Sequence, residues 1–505
     1  MVSSGPFRAS WIVAVLLAAA PPVLIAFAQN VPEGALAAGQ PVPATNVGAF
    51  RHLRALQDIA SANGGNRAAG TPGYDRSAEY VAEKLKEAGY VVRFEEFEFP
   101  FFEEHAPPVL VMSRPDGSQE PASAGAVRTL ANSGSSDVTA RLRPVNLQLG
   151  AAPPVASTSG CETGDFRDFE RGAVALIRRG TCQFQAKVEN AVAAGAVGVV
   201  IMNEGTDRRI DVFSGQLGQP ISVPVVGVSY AFGSALAAAV QADGTATVRL
   251  AVNAVAGMRP TRNVVAETAT SRDGPWIVVG AHLDSVPEGP GINDNGSGSA
   301  AVLEAALRLA QELTREPAQT RGQVRFGFWG AEERGLVGSR HHVNTLSEEE
   351  RRHIALYINL DMVGSPNFVR FVQGSAPTGE GPAAIARREL IAEFRERNLN
   401  IEERSGSRFG TDDSSFSQKG IPAVGLYTGA GGSKSEAQAG LFGGAAGRPF
   451  DPCYHQACDT IENIDRDALE QNTRALVRAL NAITIVARGP GLPNQKAGDL
   501  PEPKL

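Results

Sequence analysis

The chain has 505 residues, 43% of them hydrophobic, so it can bury a large core and hold more than one domain. Its 47 basic and 54 acidic residues leave a mild net charge of -7. Those charges are dispersed, with no basic block, which argues against nucleic acid or an anionic membrane surface as partners.

The first thirty residues, "MVSSGPFRASWIVAVLLAAAPPVLIAFAQN", carry one Arg, an apolar run and a small-x-small pattern ending at Ala28. This reads as a secretory signal over 1–28. A membrane anchor is the alternative, because the run reaches the ~17 residues needed to span. Pro21-Pro22 and the cleavage pattern favour the signal. No later segment approaches a spanning length and no Cys stands at the cleavage point, so export without a membrane anchor is expected, to the periplasm or the medium.

"FRHLRALQDIASANGG" predicts a helix stopped by Gly64-Gly65, and "GYDRSAEYVAEKLKEAGY" a second with Ala78, Val81, Ala82 and Leu85 on one face. "VVRFEEFEF" alternates as a strand. From about Gly125 to Val252 short Val-rich runs ("GAVALI", "VGVVIMN", "SVPVVGVS") are separated by Gly and Pro around one helix, "FQAKVENAVAAGA". That texture predicts a compact β-rich module. Beyond it, "WIVVGAH", "AAVLEAALRLAQEL", "VRFGFWG", "ALYINLD", "AVGLYTG" and "RDALEQNTRALVRALNAITIVA" alternate strand with helix. The fold class is α/β, a mixed, mainly parallel sheet flanked by helices. Near-continuous apolar strands imply burial on both faces. The closing stretch, 491–505, reads as disordered. The four cysteines fall in two close pairs, Cys161 with Cys182 and Cys453 with Cys458, neither at zinc-finger spacing. Two local disulfides in an oxidising compartment fit, with buried free thiols as the alternative.

The polar residues of the last segment follow its apolar strands. His282 and Asp284 come after "WIVVGA", Glu332 and Glu333 after "VRFGFWGA", and Asp361 after "ALYINL". Ligands of open α/β sheets bind outside the carboxyl ends of the strands, so these side chains and the Asp294 loop converge on one edge. One acid at a strand end is generally a helix cap or a solvated loop. Several with a His are a metal site of nitrogen and oxygen donors, suited to zinc. The donors outnumber the needs of one ion, which points to two metals sharing a carboxylate. Asp284, two residues after His282, can orient that imidazole.

"GAHLDSV…GINDNGSGSAAVLE", "FGFWGAEERGLVGS", "YINLDMVGSPN" and "DPCYHQACDTIENI" together resemble the co-catalytic di-zinc aminopeptidases secreted by bacteria and fungi. The resemblance is dense from Thr261 to Arg488 and looser from Phe50 to Phe99. It implies that His282 and Asp361 hold one zinc, Glu333 and His455 the other, with Asp294 bridging them and Glu332 as general base. It implies two zinc ions per chain and peptide substrates with a free, apolar N-terminal residue. It also gives Tyr454 as hydrogen-bond donor to the oxyanion, against a plain reading as a core aromatic. The segment "CETGDFRDFERGAVALIRRGTCQFQAKVENAVAAGAVGVVIMNE" is similar to a protease-associated domain, a module without catalytic residues that shapes access, binds partners or serves as a lid. The expected layout is thus 47–124 and 253–490 for the peptidase domain, with the module at 125–252. One departure touches the substrate side. In "GTDDSSF", Asp412 matches the family's Asp, Asp413 stands where His is usual, and Gly410 replaces an Arg that Arg408 can stand in for. A carboxypeptidase or dipeptidase on the same fold is the nearest rival. A single-metal glutaminyl cyclase and a binding protein with a dead site fit less well, because no ligand is missing.

Overall fold

The computed structural model describes residues 48–114, 116–123, 125–149, 156–206, 209–268, 274–315, 323–374, 381–405 and 410–486. The signal at 1–28, the tail at 491–505 and Arg408 lie outside them. In chain order, helices α1 (Ala49–Ala62) and α2 (Pro72–Glu87) precede a long strand, β1 (Val91–Ser113). Then come β2 (Gln119–Pro121), β3 (Val127–Thr129), β4 (Ser136–Pro144), β5 (Val174–Arg178), α3 (Phe184–Ala193), β6 (Gly198–Met202), β7 (Val225–Val228) and α4 (Tyr230–Asp243). A second long strand, β8 (Thr247–Glu267), leads back to β9 (Trp276–His282), α5 (Gly298–Arg315), β10 (Gln323–Trp329), α6 (Val337–Thr345), α7 (Glu348–His353) and β11 (Ile354–Leu360). The chain closes with β12 (Phe371–Gly374), α8 (Pro382–Glu396), β13 (Glu402–Arg404), α9 (Asp413–Ser417), β14 (Ala423–Tyr427), α10 (Glu436–Phe442) and α11 (Arg466–Val486).

Local chemistry accounts for the helices that frame the core. Thr71 caps α2 by accepting from the Tyr74 amide, Pro72 opens it, and Lys84 and Lys86 sit in its last turn. All three features suit the helix dipole and its unpaired amides. The α5 stripe buries Val302, Ala305, Ala306 and Leu309, while Ala310 and Leu313 pack at the edge of the same core.

In the peptidase half the strand order runs β13-β12-β14-β11-β9-β10-β8. The four strands from β14 to β10 are mutually parallel, whereas β8 runs antiparallel to β10 and β12 antiparallel to β14, with β13 parallel to β12. Every residue of β9 and β10 is buried. This is the mixed, mainly parallel sheet expected from the strand runs.

The module is joined to that sheet more intimately than its texture suggested. β1 and β8 pair antiparallel from Val91↔Glu267 to Ser113↔Thr247, and the far end of β8 then pairs with β4. One ribbon therefore serves both halves, and a boundary at 252 falls inside β8. Separate cores sit at the two ends, one around Phe326, Ile358 and α5, the other around Leu142, Leu176 and Val226. The module also holds a second helix, α4. Its Ala-rich sequence has no clear polar face, so periodicity did not reveal it. The disulfides Cys161–Cys182 and Cys453–Cys458 are both formed.

Candidate metal centre

Register brings the site together. Trp329 at the end of β10 lies opposite His282 at the end of β9, and Asn359 of β11 pairs with Gly280 of β9. Three neighbouring parallel strands thus end at one edge, delivering His282, the Glu332–Glu333 turn and Asp361. The loop after β9 adds Asp294, and the Cys453–Cys458 loop adds Tyr454 and His455. All of these line one cavity of about 360 Å³, together with Met362, Gln373, Arg404, Gly410, Thr411, Tyr427 and Ala430, and Asp284 stands outside that lining.

Asp294 divides its carboxylate between the two imidazoles. Its Oδ1 is 3.3 Å from His282 Nε2, and its Oδ2 is 3.1 Å from His455 Nε2. On one side His282 Nε2 also faces Asp361 at 3.4 Å, and on the other His455 Nε2 faces Glu333 at 3.2 Å. Two donor triads share Asp294, His282–Asp294–Asp361 and Asp294–Glu333–His455, and a further group, His282–Glu332–Glu333, also has its donor atoms within 4.8 Å of one another. Glu332 reaches His282 only at 4.0 Å.

The electrostatics fit a site built for cations. Burial pushes the Glu332 carboxyl well above its usual range, and burial with the Asp294 charge pushes Glu333 up to about 7. Burial also works against Asp294, but hydrogen bonds from His282 and His455 hold it at about 2. Both imidazoles are desolvated, yet the surrounding carboxylates raise His282 well above its usual value and His455 to about 10. Glu333 Oε1 and Asp361 Oδ1 are buried without a hydrogen bond. So much acid in a closed space needs protons or metal ions for balance. The donor set of imidazole and carboxylate suits zinc.

The backbone at this edge is held in unusual conformations. Ala331, Met362 and His455 all have positive φ, at 55°, 49° and 57°. Each is a cavity-lining residue or the neighbour of one, the pattern expected where surrounding structure fixes a functional geometry. Gly291, with φ of 59°, has no room for a side chain, since a Cβ there would lie 2.3 Å from the Asp294 carbonyl oxygen.

Asp284 is placed near His282 but divides its work. The imidazole Nδ1 donates to the Asp284 backbone carbonyl at 3.1 Å, while the carboxylate stands 3.7 Å from the same nitrogen. That carboxylate instead accepts the amides of Glu332 and Glu333, at 3.1 and 3.4 Å. It therefore fixes the turn that carries both glutamates. Asp412 is fully buried beneath the cavity, outside its lining, and burial pushes it up to about 7. Arg404, over the Phe371 ring, lines the cavity where Arg408 was the expected cation.

Two supporting groups escaped the sequence reading. Asp459, 2% exposed, accepts the amides of Asn293 and Asp294 at 2.8 and 2.9 Å. It lies inside the quoted "CYHQACDT" stretch, one residue past the disulfide. Arg67 is fully buried and donates to the carbonyls of Leu283, Pro290 and Gly291, gripping the loop between His282 and Asp294. Nothing in "NGGNRAAG" distinguishes that Arg from a solvated one.

A model of peptidase family M28 matches residues 263–480, and a PA domain model matches 145–236. An aminopeptidase of Pseudomonas aeruginosa is 44% identical over 446 residues, covering 86% of this chain and 79% of that protein. The chain belongs to peptidase family M28. Leucine aminopeptidase 2 of Arthroderma otae is 33% identical over 445 residues, covering 86% of this M28 chain and 84% of the relative. Among solved structures, an aminopeptidase from Aneurinibacillus sp. strain AM-1 superposes with a TM-score of 0.62 at 26% identity, covering 86% of this chain and 93% of that one. The M28 peptidase thus carries an inserted PA domain, within the 125–252 stretch set apart by its texture.

Proposed function

We propose that this M28 peptidase is an exported zinc aminopeptidase that uses two zinc ions to release an apolar N-terminal residue from peptides. The observation that carries the reading is the Asp294 carboxylate, shared between two imidazoles that each have a further carboxylate. In this reading His282 and Asp361 hold one ion, Glu333 and His455 the other, and Asp294 both. Bound there, the pair would polarise the scissile carbonyl and acidify the attacking water. Glu332, free of the two triads, takes the proton of that water and passes it to the leaving amine. Tyr454, whose ring stacks on His455 with centroids 3.8 Å apart, donates its phenol proton to the oxyanion. Glu332 and Asp361 receive the substrate's α-ammonium group, which confines cleavage to the N-terminus. Met362, Tyr427 and Ala430 give the cavity an apolar wall for the first side chain, and the named activities of the relatives support the same class.

Export rests on the signal pattern of 1–28 and on the two disulfides. No helix among the described residues is long and apolar enough to cross a membrane. A carboxypeptidase would need a free cation beside the ions. Arg404, the guanidinium lining the cavity, lies on Phe371 at 3.5 Å and near Glu402, also at 3.5 Å.

The test is elemental analysis together with hydrolysis of aminoacyl-nitroanilides and N-blocked peptides, before and after chelation. Two zinc ions per chain, turnover of free N-termini alone, and loss on chelation are expected. Turnover of N-blocked peptides at comparable rates would overturn the aminopeptidase reading. A single equivalent of metal in the fully active enzyme would overturn the two-ion reading.

A further inference from the structure

A second cavity, of about 790 Å³, opens between the PA domain and the peptidase sheet, and its lining is rich in positive charge. Arg179 and Arg209 come from the module wall, Arg334, Arg340 and His341 from the peptidase wall, with Glu98 on the ribbon between them. Arg209 is paired with Glu204 at 2.8 Å. Among the described residues, Arg179, Arg334 and Arg340 form no ion pair. Arg179 is fixed by lying over Phe184 and Phe213, at 5.6 and 4.9 Å, and His341 is stacked on Phe97. In a chain of net charge -7, unpaired guanidiniums gathered on two facing walls need a purpose. Guanidinium is the side chain best matched to a carboxylate, through two parallel hydrogen bonds.

The position of the cleft suggests where that carboxylate comes from. Glu333 lines the metal cavity and Arg334, the next residue, lines the cleft. Both belong to one tight turn, in which the amides of Gly335 and Leu336 donate to the Glu332 carbonyl at 2.8 Å. One turn thus contributes to the lining of both cavities, one acidic and one basic. A short peptide has the opposite pattern, an ammonium at its first residue and a carboxylate further on. At about 3.3–3.6 Å per extended residue, a peptide of three to six residues reaches roughly 10–20 Å from its ammonium group.

We propose that the cleft binds the carboxylate-bearing downstream part of the peptide substrate, so that the enzyme favours peptides with a nearby free C-terminus or acidic side chains. This rests on the aminopeptidase reading, and the test separates the two. The zinc-loaded enzyme would be assayed on leucyl peptides of about three to six residues. Matched forms would carry a free C-terminal carboxylate, a C-terminal amide, or an amide with internal Asp or Asn. Leucyl-nitroanilide, too short to reach the cleft, is the reference. The parent should show KM about tenfold lower for the carboxylate forms, with the difference shrinking as salt is raised. Comparing free C-termini with internal Asp identifies which carboxylate is held.

In Arg340→Gln, and more so in Arg179→Gln/Arg340→Gln, the preference should fall to within about threefold while nitroanilide turnover stays at the parental rate. Anisotropy of a labelled N-acetyl peptide rich in Glu, which needs no turnover, should show binding to the parent that the double variant loses. Nitroanilide turnover with equal KM for carboxylate and amide forms would overturn the cleft assignment alone. So would a preference that survives in the folded double variant. Failure to cleave any free N-terminus would overturn the aminopeptidase reading, and the anisotropy measurement would still decide whether the cleft binds carboxylate.

Discussion

Arg67→Met is the sharpest test of how the metal loop is held. The substitution keeps an unbranched apolar stem but removes a guanidinium that donates to the carbonyls of Leu283, Pro290 and Gly291. Arg67 also faces Asp284, Asp459 and Asp294, and although burial lowers its pKa to about 10 it stays charged at neutral pH. Stripping one member from a buried charged network typically costs about 3–5 kcal/mol, because the partners left behind stay desolvated. A chain of this length has an unfolding entropy near 1 kcal/mol/K at roughly 2.1 cal/mol/K per residue, so the melting temperature should fall by only about 3–5 °C. The larger effect should appear at the metals. If half of that energy serves to preorganise His282 and Asp294, metal affinity falls by about 10–60-fold, at 1.4 kcal/mol per decade. Competition with a chelator of known affinity reads this directly, and Arg67→Lys should recover part of it. Parental metal affinity and activity in a folded Arg67→Met protein would show that the loop holds itself.

Glu332→Gln should keep the parental metal content and lose about 10²–10⁴-fold in kcat, as expected for a general base; near-parental turnover with full metal content would reassign the proton transfer. Asp294→Ala should instead lose metal, scored by elemental analysis, because its carboxylate faces both His282 and His455. Tyr454→Phe should lower kcat by about 10²–10³-fold with metal content unchanged, and a change within a few-fold would return that ring to a packing role. Excising the module should spare a small nitroanilide substrate, provided the cut follows the ribbon. Phe102 pairs with Ala256, so an Asn-Gly turn joining those two residues preserves the hairpin. A folded, metal-loaded product that cannot cleave the small substrate would place part of the active site in the module.

What the sequence disclosed follows from the length scale of each interaction. His282, Glu333 and Asp361 were legible as candidate ligands because they stand at or just after the ends of short buried strands, and parallel strands deliver their carboxyl ends to one edge. With Asp294 and His455, these three and Glu332 meet in one cavity. The α5 stripe and the capped α2 were equally readable, since their periodicity lies within a few turns. Arg67 and Asp459 were not readable in this way. The backbone groups they hold lie more than 160 residues away, in 283–294, and a backbone carbonyl or amide leaves no side-chain signature. The same limit explains the module boundary. Strand pairing over β1 and β8 spans two cores, and only the register shows that the strand crossing 252 never stops. Asp284 illustrates the case between. Its spacing of two from His282 suggested a carboxylate aimed at the ring, but a strand end turns that carboxylate toward the neighbouring strand's turn, leaving the carbonyl for the imidazole. Replacement by Asn would therefore disturb the glutamates before the histidine, a distinction that only the three-dimensional arrangement makes.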